Sequence, residues 1–135
     1  MSEDYLEPTA DRASDHFWQA LADRRLEIQR CWVCARHVFY PRVICSYCQS
    51  EDLRWVRASG RGVVYSHTTV HRASGLYAGE TPYVVAIVDL DEGVRLLARL
   101  DGVDPGAPVI DLPVRAVFTE YRDRTAVRFM PVATP

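Results

Sequence analysis

All four cysteines of the chain lie in one stretch of eighteen residues, CWVCARHVFYPRVICSYC. They form two Cys-x-x-Cys pairs, Cys31 with Cys34 and Cys45 with Cys48, separated by ten residues. Two such pairs on facing turns can place four sulfurs at the corners of a tetrahedron, about 2.3 Å from a zinc ion. Four thiolate ligands leave no open coordination position, so the spacing predicts one structural zinc ion rather than a catalytic one.

Two other chemistries use the same thiols. An iron ion in a rubredoxin-like site takes the same tetrahedral sulfur set, and two disulfides would need an oxidising compartment. The first 23 residues carry six acidic side chains against one arginine, the opposite of the basic start of a secretory signal. We therefore expect a cytoplasmic protein with reduced thiols, which favours zinc. The pairs are followed by Ala35 and Gln49, where such turns often have glycine because φ is positive.

The cysteines must be held by short elements near the start of the chain. Residues 1–13 are acidic and aperiodic, which predicts a flexible tail. Ser14 can cap a helix that ends near Arg24, and alternating residues from Leu26 to Gln29 predict a strand that leads into the first pair. Two more short strands are predicted, one ending before Pro41 and one over residues 53–56. Residues 14–58 would thus form a helix and a zinc ribbon.

Residues 59–135 have the pattern of an all-β domain. A β-branched run over residues 64–71 predicts a long strand, with Val64, Ser66, Thr68 and Val70 on one face. Residues 83–90 and 94–100 predict a hairpin around Asp91-Glu92-Gly93. Two further strands are predicted around residues 114–118 and 125–129. Five short antiparallel strands are what a closed OB-fold barrel needs, so the predicted fold is mainly β: a short helix, a rubredoxin-like ribbon and a five-stranded barrel.

The charge distribution limits the possible partners. The chain has no lysine, and its sixteen basic residues are all arginines. Residues 24–72 carry nine arginines and three acids, whereas the whole chain has a net charge of -2. Zinc ribbons and OB-folds both bind nucleic acids, and the basic middle would suit single-stranded nucleic acid. The acidic whole fits poorly, because neutralisation of the phosphate backbone normally drives such binding. The chain contains no run of about 20 apolar residues, which is the length that a membrane-spanning helix needs.

Several stretches together resemble one protein family. They are the helix start FWQAL, the strand LEIQRC, the two cysteine pairs, the step VFYPR, and the runs SGRGVVYSHTTVH and PYVVAIVDLDEGVRLLARL. The chain resembles, over about residues 14–132, the acyl-CoA-associated proteins that join a zinc ribbon to an OB-fold, long catalogued as a domain of unknown function. Asp111-Leu112-Pro113 departs from the pattern, since the family often has a glycine before the fourth barrel strand.

The resemblance implies a partner enzyme. Members of this family form hetero-oligomers with thiolase-fold or lipid-transfer-protein-like enzymes that act on acyl-CoA thioesters. The partner supplies the catalytic residues, so this chain would be a non-catalytic accessory subunit that stabilises it and helps form the CoA channel, in a 2+2 heterotetramer. A retro-aldol lyase of steroid side-chain degradation is the first expectation, and an acyltransferase or thiolase the alternative. Some relatives are fused to a hydratase-like domain, so the chain could be a piece of a longer protein.

These expectations suggest roles for individual residues. Arg72, Arg95 and Arg99 are candidates to bind CoA phosphates through bidentate hydrogen bonds, with a solvated barrel face as the alternative. The ribbon carries more aromatic side chains than so thin a module can cover, and exposed aromatic patches mark association surfaces. The predicted partner contacts are Phe17, Trp18, Trp32, Phe39, Tyr40 and Tyr77, with core packing as the alternative. His67 and His71 would be outer-face residues or partner contacts, with a second metal site or an acid/base pair as the alternative. His16 and His37 would be solvated.

Overall fold

The computed structural model of the chain describes residues 13–73, 75–121 and 124–132, without the side chains of 75–77 and 121. The predicted acidic tail therefore lies almost wholly outside the described residues. In the described part of the chain, no helix is both long enough and apolar enough to span a membrane.

A short helix and a three-stranded sheet form the N-terminal part. Helix α1 spans Asp15–Ala22, and it buries Phe17, Ala20 and Leu21 on one face. Strands β1 (Glu27–Cys31), β2 (His37–Val38) and β3 (Leu53–Arg57) follow. The sheet is antiparallel with the order β2-β1-β3, so β1 lies in the middle and ends at the first cysteine.

The end of α1 is set by backbone geometry rather than by glycine. Arg24 takes a left-handed conformation with φ +60°, although this region normally favours glycine. The amide of Arg24 donates to the carbonyl of Leu21 at 2.9 Å, and that of Arg25 donates to Ala20 at 2.8 Å. These two bonds are those of a Schellman motif, which satisfies the last carbonyls of the helix and turns the chain towards β1.

The remaining strands close into a barrel. They are β4 (Arg61–Val70), β5 (Tyr83–Leu90), β6 (Arg95–Leu100), β7 (Pro113–Tyr121) and β8 (Arg124–Pro131), with a short 3-10 helix over Gly75–Glu80. The barrel order is β4-β5-β6-β8-β7, and β7 pairs again with β4. All pairs are antiparallel except β6 with β8. The predicted five-stranded OB-fold is confirmed.

Strand β4 departs from the predicted alternation. The register slips between Val64 and Ser66, because Tyr65 is a bulge without a partner on β5. After the bulge, His67 pairs with Ala86, whose side chain is buried in the barrel. Ser66 and Thr68 therefore do not share the face of Val64, and His67 turns towards the barrel interior instead of the outer face. His71 lies beyond the end of β4, where it is exposed.

One apolar core serves the barrel and the N-terminal part together. It joins Phe17 and Leu21 of α1 and Ile28 of β1 to the barrel interior around Val88 and Phe129. The ribbon has a second, very small cluster of its own, made of Cys31, Val38 and Cys45 with Cys34 and Leu53 packed against it. Two of its three buried members are cysteines, so the shape of the ribbon depends on what those sulfurs bind.

Candidate metal centre and partner surface

The four cysteines converge on one point between two turns. The Sγ atoms of Cys31 and Cys48 are 3.5 Å apart, those of Cys34 and Cys45 are 3.7 Å apart, and all four lie within 4.8 Å of one another. Zinc–sulfur bonds of about 2.3 Å give a tetrahedron with edges of about 3.8 Å, so the sulfurs fit a zinc ion. A disulfide needs about 2.05 Å, and all four cysteines are free.

The two turns that carry the sulfurs have the same backbone geometry. The amide of Ala35 donates to the carbonyl of Cys31 at 2.9 Å, and that of Gln49 donates to Cys45 at 3.0 Å. Ala35 has φ +66° and Gln49 has φ +64°. Both residues thus occupy the left-handed region that the spacing predicted for them, although neither is glycine. The turns keep the geometry of glycine-containing turns at some cost in backbone strain.

The pKa values of the clustered thiols indicate that a bound cation would stabilise their ionised forms. The backbone amide of Cys34 is the main cause that lowers the pKa of Cys31, and the amide of Cys48 is the main cause that lowers the pKa of Cys45, to about 6. At Cys48 the amide of Ser50 acts the same way, but burial and the three neighbouring sulfurs outweigh it and raise the pKa to about 12. Four adjacent thiols cannot all ionise without a compensating positive charge, which a divalent metal supplies.

A buried glutamine holds the segment between the two cysteine pairs. Gln29 is one of the polar residues in the alternating run that predicted β1, but its side chain is only 4% exposed. Its Nε2 donates to the carbonyl of Arg42 at 2.7 Å, and its Oε1 accepts from the amide of Arg42 at 2.7 Å. This two-bond clamp ties the loop that leads to Cys45 onto β1. A polar residue in a short alternating run gives no sign of such a clamp, so the sequence did not reveal it.

His16 was expected to be solvated, and its side chain is indeed 46% exposed, but it is not isolated. Its ring stacks on Trp55 with 4.4 Å between centroids, and its Nε2 lies 2.8 Å from Oε1 of Glu27. Arg25 Nε donates to the other oxygen of Glu27, also at 2.8 Å. The hydrogen bonds with His16 and then Arg25 lower the pKa of Glu27. Glu27 thus fastens α1 to the first ribbon strand.

The predicted partner contacts differ in how much of their side chains is exposed. Trp32 and Tyr40 stand 45% and 57% exposed, in agreement with a surface role. Phe17 is buried in the core of the chain itself, so its side chain offers almost no surface to a partner. Trp18 and Phe39 are half-buried, and each ring packs against Phe17. The side chain of Tyr77 lies outside the described residues.

The ribbon is the most apolar exposed surface of the described chain. Ten large apolar side chains are exposed in the described part of the chain, and six of them lie between residues 32 and 47. These six are Trp32, Val33, Tyr40, Val43, Ile44 and Tyr47. Beside them runs a groove of about 420 Å³ between α1 and the barrel, with Trp18, Tyr40 and Leu97 among its lining residues. The rings of Trp32 and Tyr47 also carry arginine side chains over their faces.

The three arginines considered for CoA have different surroundings. Arg95 Nε donates to Asp89 at 2.7 Å, and its guanidinium lies over Tyr65. Arg99 is only 19% exposed, and its Nη1 donates to Glu80 at 2.9 Å. Arg72 is exposed in the segment after β4. Arg95 and Arg99 already have carboxylate partners, so they would have to exchange these to bind a phosphate.

A four-cysteine ribbon that shares its core with a five-stranded OB-fold barrel defines a class of small two-part proteins. Two family models match the chain in this order: the ChsH2 rubredoxin-like zinc ribbon domain over residues 18–54, and the ChsH2 C-terminal OB-fold domain over residues 55–119. The chain belongs to this ChsH2 family, which is also called DUF35.

Three known proteins show the range of the family. A solved Ltp2-ChsH2(DUF35) aldolase chain is 36% identical with a TM-score of 0.84, covering 93% of this chain and 98% of that one. The 3-oxo-4,17-pregnadiene-20-carboxyl-CoA hydratase alpha subunit of Mycobacterium tuberculosis is 35% identical over 93% of this chain, which spans 40% of that protein. The benzoylsuccinyl-CoA thiolase subunit BbsA of Thauera aromatica is 32% identical over 78% of this chain and 73% of BbsA.

Proposed function

We propose that this chain is a non-catalytic, zinc-binding accessory subunit of a thiolase-fold enzyme that acts on acyl-CoA thioesters. One zinc ion, held by Cys31, Cys34, Cys45 and Cys48, would cross-link the two turns of the ribbon and supply structural rigidity. The ribbon and the aromatic groove would then form the surface that binds the enzyme. The catalytic groups would come from the partner.

The observation that carries the proposal is the likeness to the aldolase chain. It extends over 98% of that chain at 36% identity, so it includes the ribbon, the barrel and their mutual arrangement. The thiolase subunit BbsA supports the same kind of partner, since its name assigns it to a thiolase. Both names, with that of the hydratase subunit, refer to carbon–carbon bond or CoA-thioester chemistry. Of these, a retro-aldol lyase of steroid side chains is the activity we favour, in a 2+2 heterotetramer.

The surface of the chain suits such a partner. Exposed apolar side chains concentrated on a metal-held hairpin can be buried on association without a large cost in ordering, because the hairpin is already rigid. Trp32 is the best candidate for an energetic centre, since tryptophan and arginine are enriched at such positions. Its ring has Arg54 at 4.8 Å and Arg30 at 5.2 Å. CoA itself would be bound jointly with the partner. Of the three arginines considered for CoA, Arg72 is the one whose guanidinium has no carboxylate partner among the described residues.

Co-expression tests the proposal. The tagged chain would be expressed with a thiolase-fold enzyme of the aldolase type and, separately, with one of the acyltransferase type. We expect a stable complex by size-exclusion chromatography and CoA-thioester carbon–carbon cleavage with the aldolase. Trp32→Ala should weaken the complex at least tenfold, whereas Ile110→Ala, an exposed apolar residue of the barrel, should not. Failure to bind either enzyme, or equal effects of the two variants, would refute the proposed interface.

A further inference from the structure

Four arginines from different elements line one recess beside the junction of ribbon and barrel. Arg24 follows α1, Arg57 ends β3, Arg61 begins β4 and Arg115 lies in β7. The recess has a volume of about 220 Å³, and the link of residues 58–60 forms part of its wall. No neighbouring side chain that lines it is acidic. We call it the arginine recess.

One carboxylate lies at the wall of the arginine recess, where Glu92 accepts from the amide of Ser59 at 2.8 Å, but three of the four arginines have no carboxylate partner in the described part of the chain. Among the described residues, Arg57, Arg61 and Arg115 have no carboxylate oxygen within 4 Å. Glu120 lies 3.6 Å from Nη2 of Arg24, but its side chain is 74% exposed. Other arginines of the chain do have a carboxylate within 4 Å. They are Arg25, Arg54, Arg95, Arg99 and Arg128.

Two of the four arginines are placed against each other. Arg61 and Arg115 are directly opposite on β4 and β7, so their side chains emerge from the same face of the barrel. Like charges directly opposite on neighbouring strands destabilise a sheet. Nη2 of Arg115 donates to the thioether sulfur of Met130 at 3.2 Å, which is a weak acceptor. The pair therefore keeps positive charge that an anion could neutralise.

The guanidinium of Arg24 is held at the recess by a hydrogen bond to the barrel. Its Nη1 donates to the carbonyl of Phe118 on β7 at 3.0 Å, which fixes the guanidinium across the gap between α1 and the barrel. The backbone amides nearby are already used, since the amide of Ser59 donates to Glu92 and that of Ala116 donates to Gly60. A ligand in the recess would thus be bound by guanidinium groups.

We infer that the arginine recess binds the phosphate oxygens of a phosphate or diphosphate group. Guanidinium groups present paired donors that match phosphate oxygens, and such bonds are strong because both partners are charged. The volume equals about seven waters at about 30 Å³ each, enough for a diphosphate but below the roughly 300 Å³ of sites for larger organic ligands. This inference does not depend on the proposed partner or on any residue given to the metal or to CoA above.

Calorimetric titration of the full, zinc-loaded chain with inorganic pyrophosphate at low salt tests it. We expect saturable binding of one pyrophosphate per chain. Arg61→Gln and Arg115→Gln should each weaken binding at least tenfold, while Arg42→Gln, an equal charge change at an exposed position of the ribbon, should change it less than twofold. Without ligand, Arg61→Gln should melt at a higher temperature than the unaltered chain, because repulsion from Arg115 is removed. Absent saturation, or equal weakening in all three variants, would overturn the inference.

Two further probes distinguish the sources of the phosphate. Adenosine 3′,5′-bisphosphate carries phosphates on a nucleoside, and adenosine carries none. Tighter binding of the bisphosphate than of pyrophosphate, lost in Arg61→Gln, would support the phosphate arm of a larger nucleotide as the ligand. Tighter binding of pyrophosphate, lost in the same variant, would support a free polyanion. Binding of adenosine alone, or bisphosphate binding that survives Arg61→Gln, would contradict a phosphate site.

Discussion

Single residues in the left-handed region decide the local turns of this chain. Ala35, Gln49 and Asp111 all have φ near +65°, a conformation that glycine adopts most readily. Each absence of glycine is visible in the sequence, but the sequence alone leaves open whether the turn changes shape. The structure shows that the turns persist: the amide of Asp111, for example, donates to the carbonyl of Val64 at 2.8 Å. The strain of a non-glycine residue is tolerated there.

The first prediction concerns this strain. Gln49→Gly should raise the free energy of unfolding of the zinc-loaded chain by about 1 kcal/mol, because glycine adopts positive φ without the clash of a Cβ atom. Gln49→Ala keeps the Cβ atom and should leave the stability nearly unchanged. Denaturant unfolding in the presence of excess zinc measures both. If the glycine variant were no more stable than the alanine variant, the Cβ atom at position 49 would not be a source of strain.

The second prediction concerns Glu27. Its pKa lies below the ordinary value of 4.5, so its ionised form stabilises the fold. That contribution is fully present above the ordinary pKa and is lost as the pH falls through the lowered one. Glu27→Gln should therefore cost about 1 kcal/mol at pH 7, and the loss should shrink as the medium is acidified below pH 4.

The matched control for Glu27 is Glu51→Gln, which removes the same charge from an exposed side chain near the ribbon. Melting temperatures of both variants at a series of pH values provide the comparison, and metal loss in acid affects both equally. A penalty for Glu27→Gln that does not shrink at any acidic pH at which the chain stays folded would show that packing, rather than the charge, holds α1 to β1.

The sequence predicted the positions of the helix and the strands better than it predicted which side chains are buried. The hydrophobic pattern predicted the short helix, the ribbon strands and five barrel strands, because each buries a regular set of apolar side chains. It failed for β4, since the bulge at Tyr65 inverts the faces and leaves no mark in the sequence. It also missed the burial of Gln29 and the stacking of His16, because their partners Arg42 and Trp55 are 13 and 39 positions away. The metal cluster was predictable because its ligand spacing is local.

The third prediction concerns the start of β4, which pairs with β5 on one side and with β7 on the other. Gly62 pairs with Leu90 on one side and Val114 on the other, and a Cβ atom there would overlap the backbone carbonyl of Asp89. Gly62→Ala should cost about 3 kcal/mol, because a backbone atom cannot move aside as a flexible side chain can.

Gly79→Ala makes the same change where a Cβ atom meets no other atom within 4 Å. It should shift the unfolding midpoint by a small fraction of the effect at Gly62. Denaturant titration followed by far-ultraviolet circular dichroism compares the two. Equal midpoints for the two variants would mean that β4 has room to move and that the barrel closes less tightly than the structure indicates.

The molecule has one main apolar core, and its ribbon turns lie outside that core and depend on a metal. Because α1 and β1 share their core with the barrel, they should stay folded when the ribbon does not. The ribbon turns have only the small cluster of Cys31, Val38 and Cys45. Structural zinc contributes roughly 10 to 16 kcal/mol in comparable small sites, far more than such a cluster can supply.

The fourth prediction follows from this division. Cys34→Ser should release the metal and unfold residues 31–52, while the barrel strands remain protected from hydrogen exchange. It should also abolish the complex with the partner enzyme. Ser46→Ala, an exposed change in the second turn, should keep both protection and complex. A Cys34→Ser chain that still forms the full complex would separate partner binding from the ribbon and leave the groove beside α1 as the contact.

The metal content of the purified, folded chain tests the central claim most directly. Elemental analysis by mass spectrometry should give one zinc per chain, and a chelator that removes it should remove the protection of the ribbon from hydrogen exchange. A well-folded ribbon that carries no metal would contradict the claim. One iron per chain, with the red colour of iron bound by four thiolates, would contradict the zinc assignment and indicate electron transfer instead.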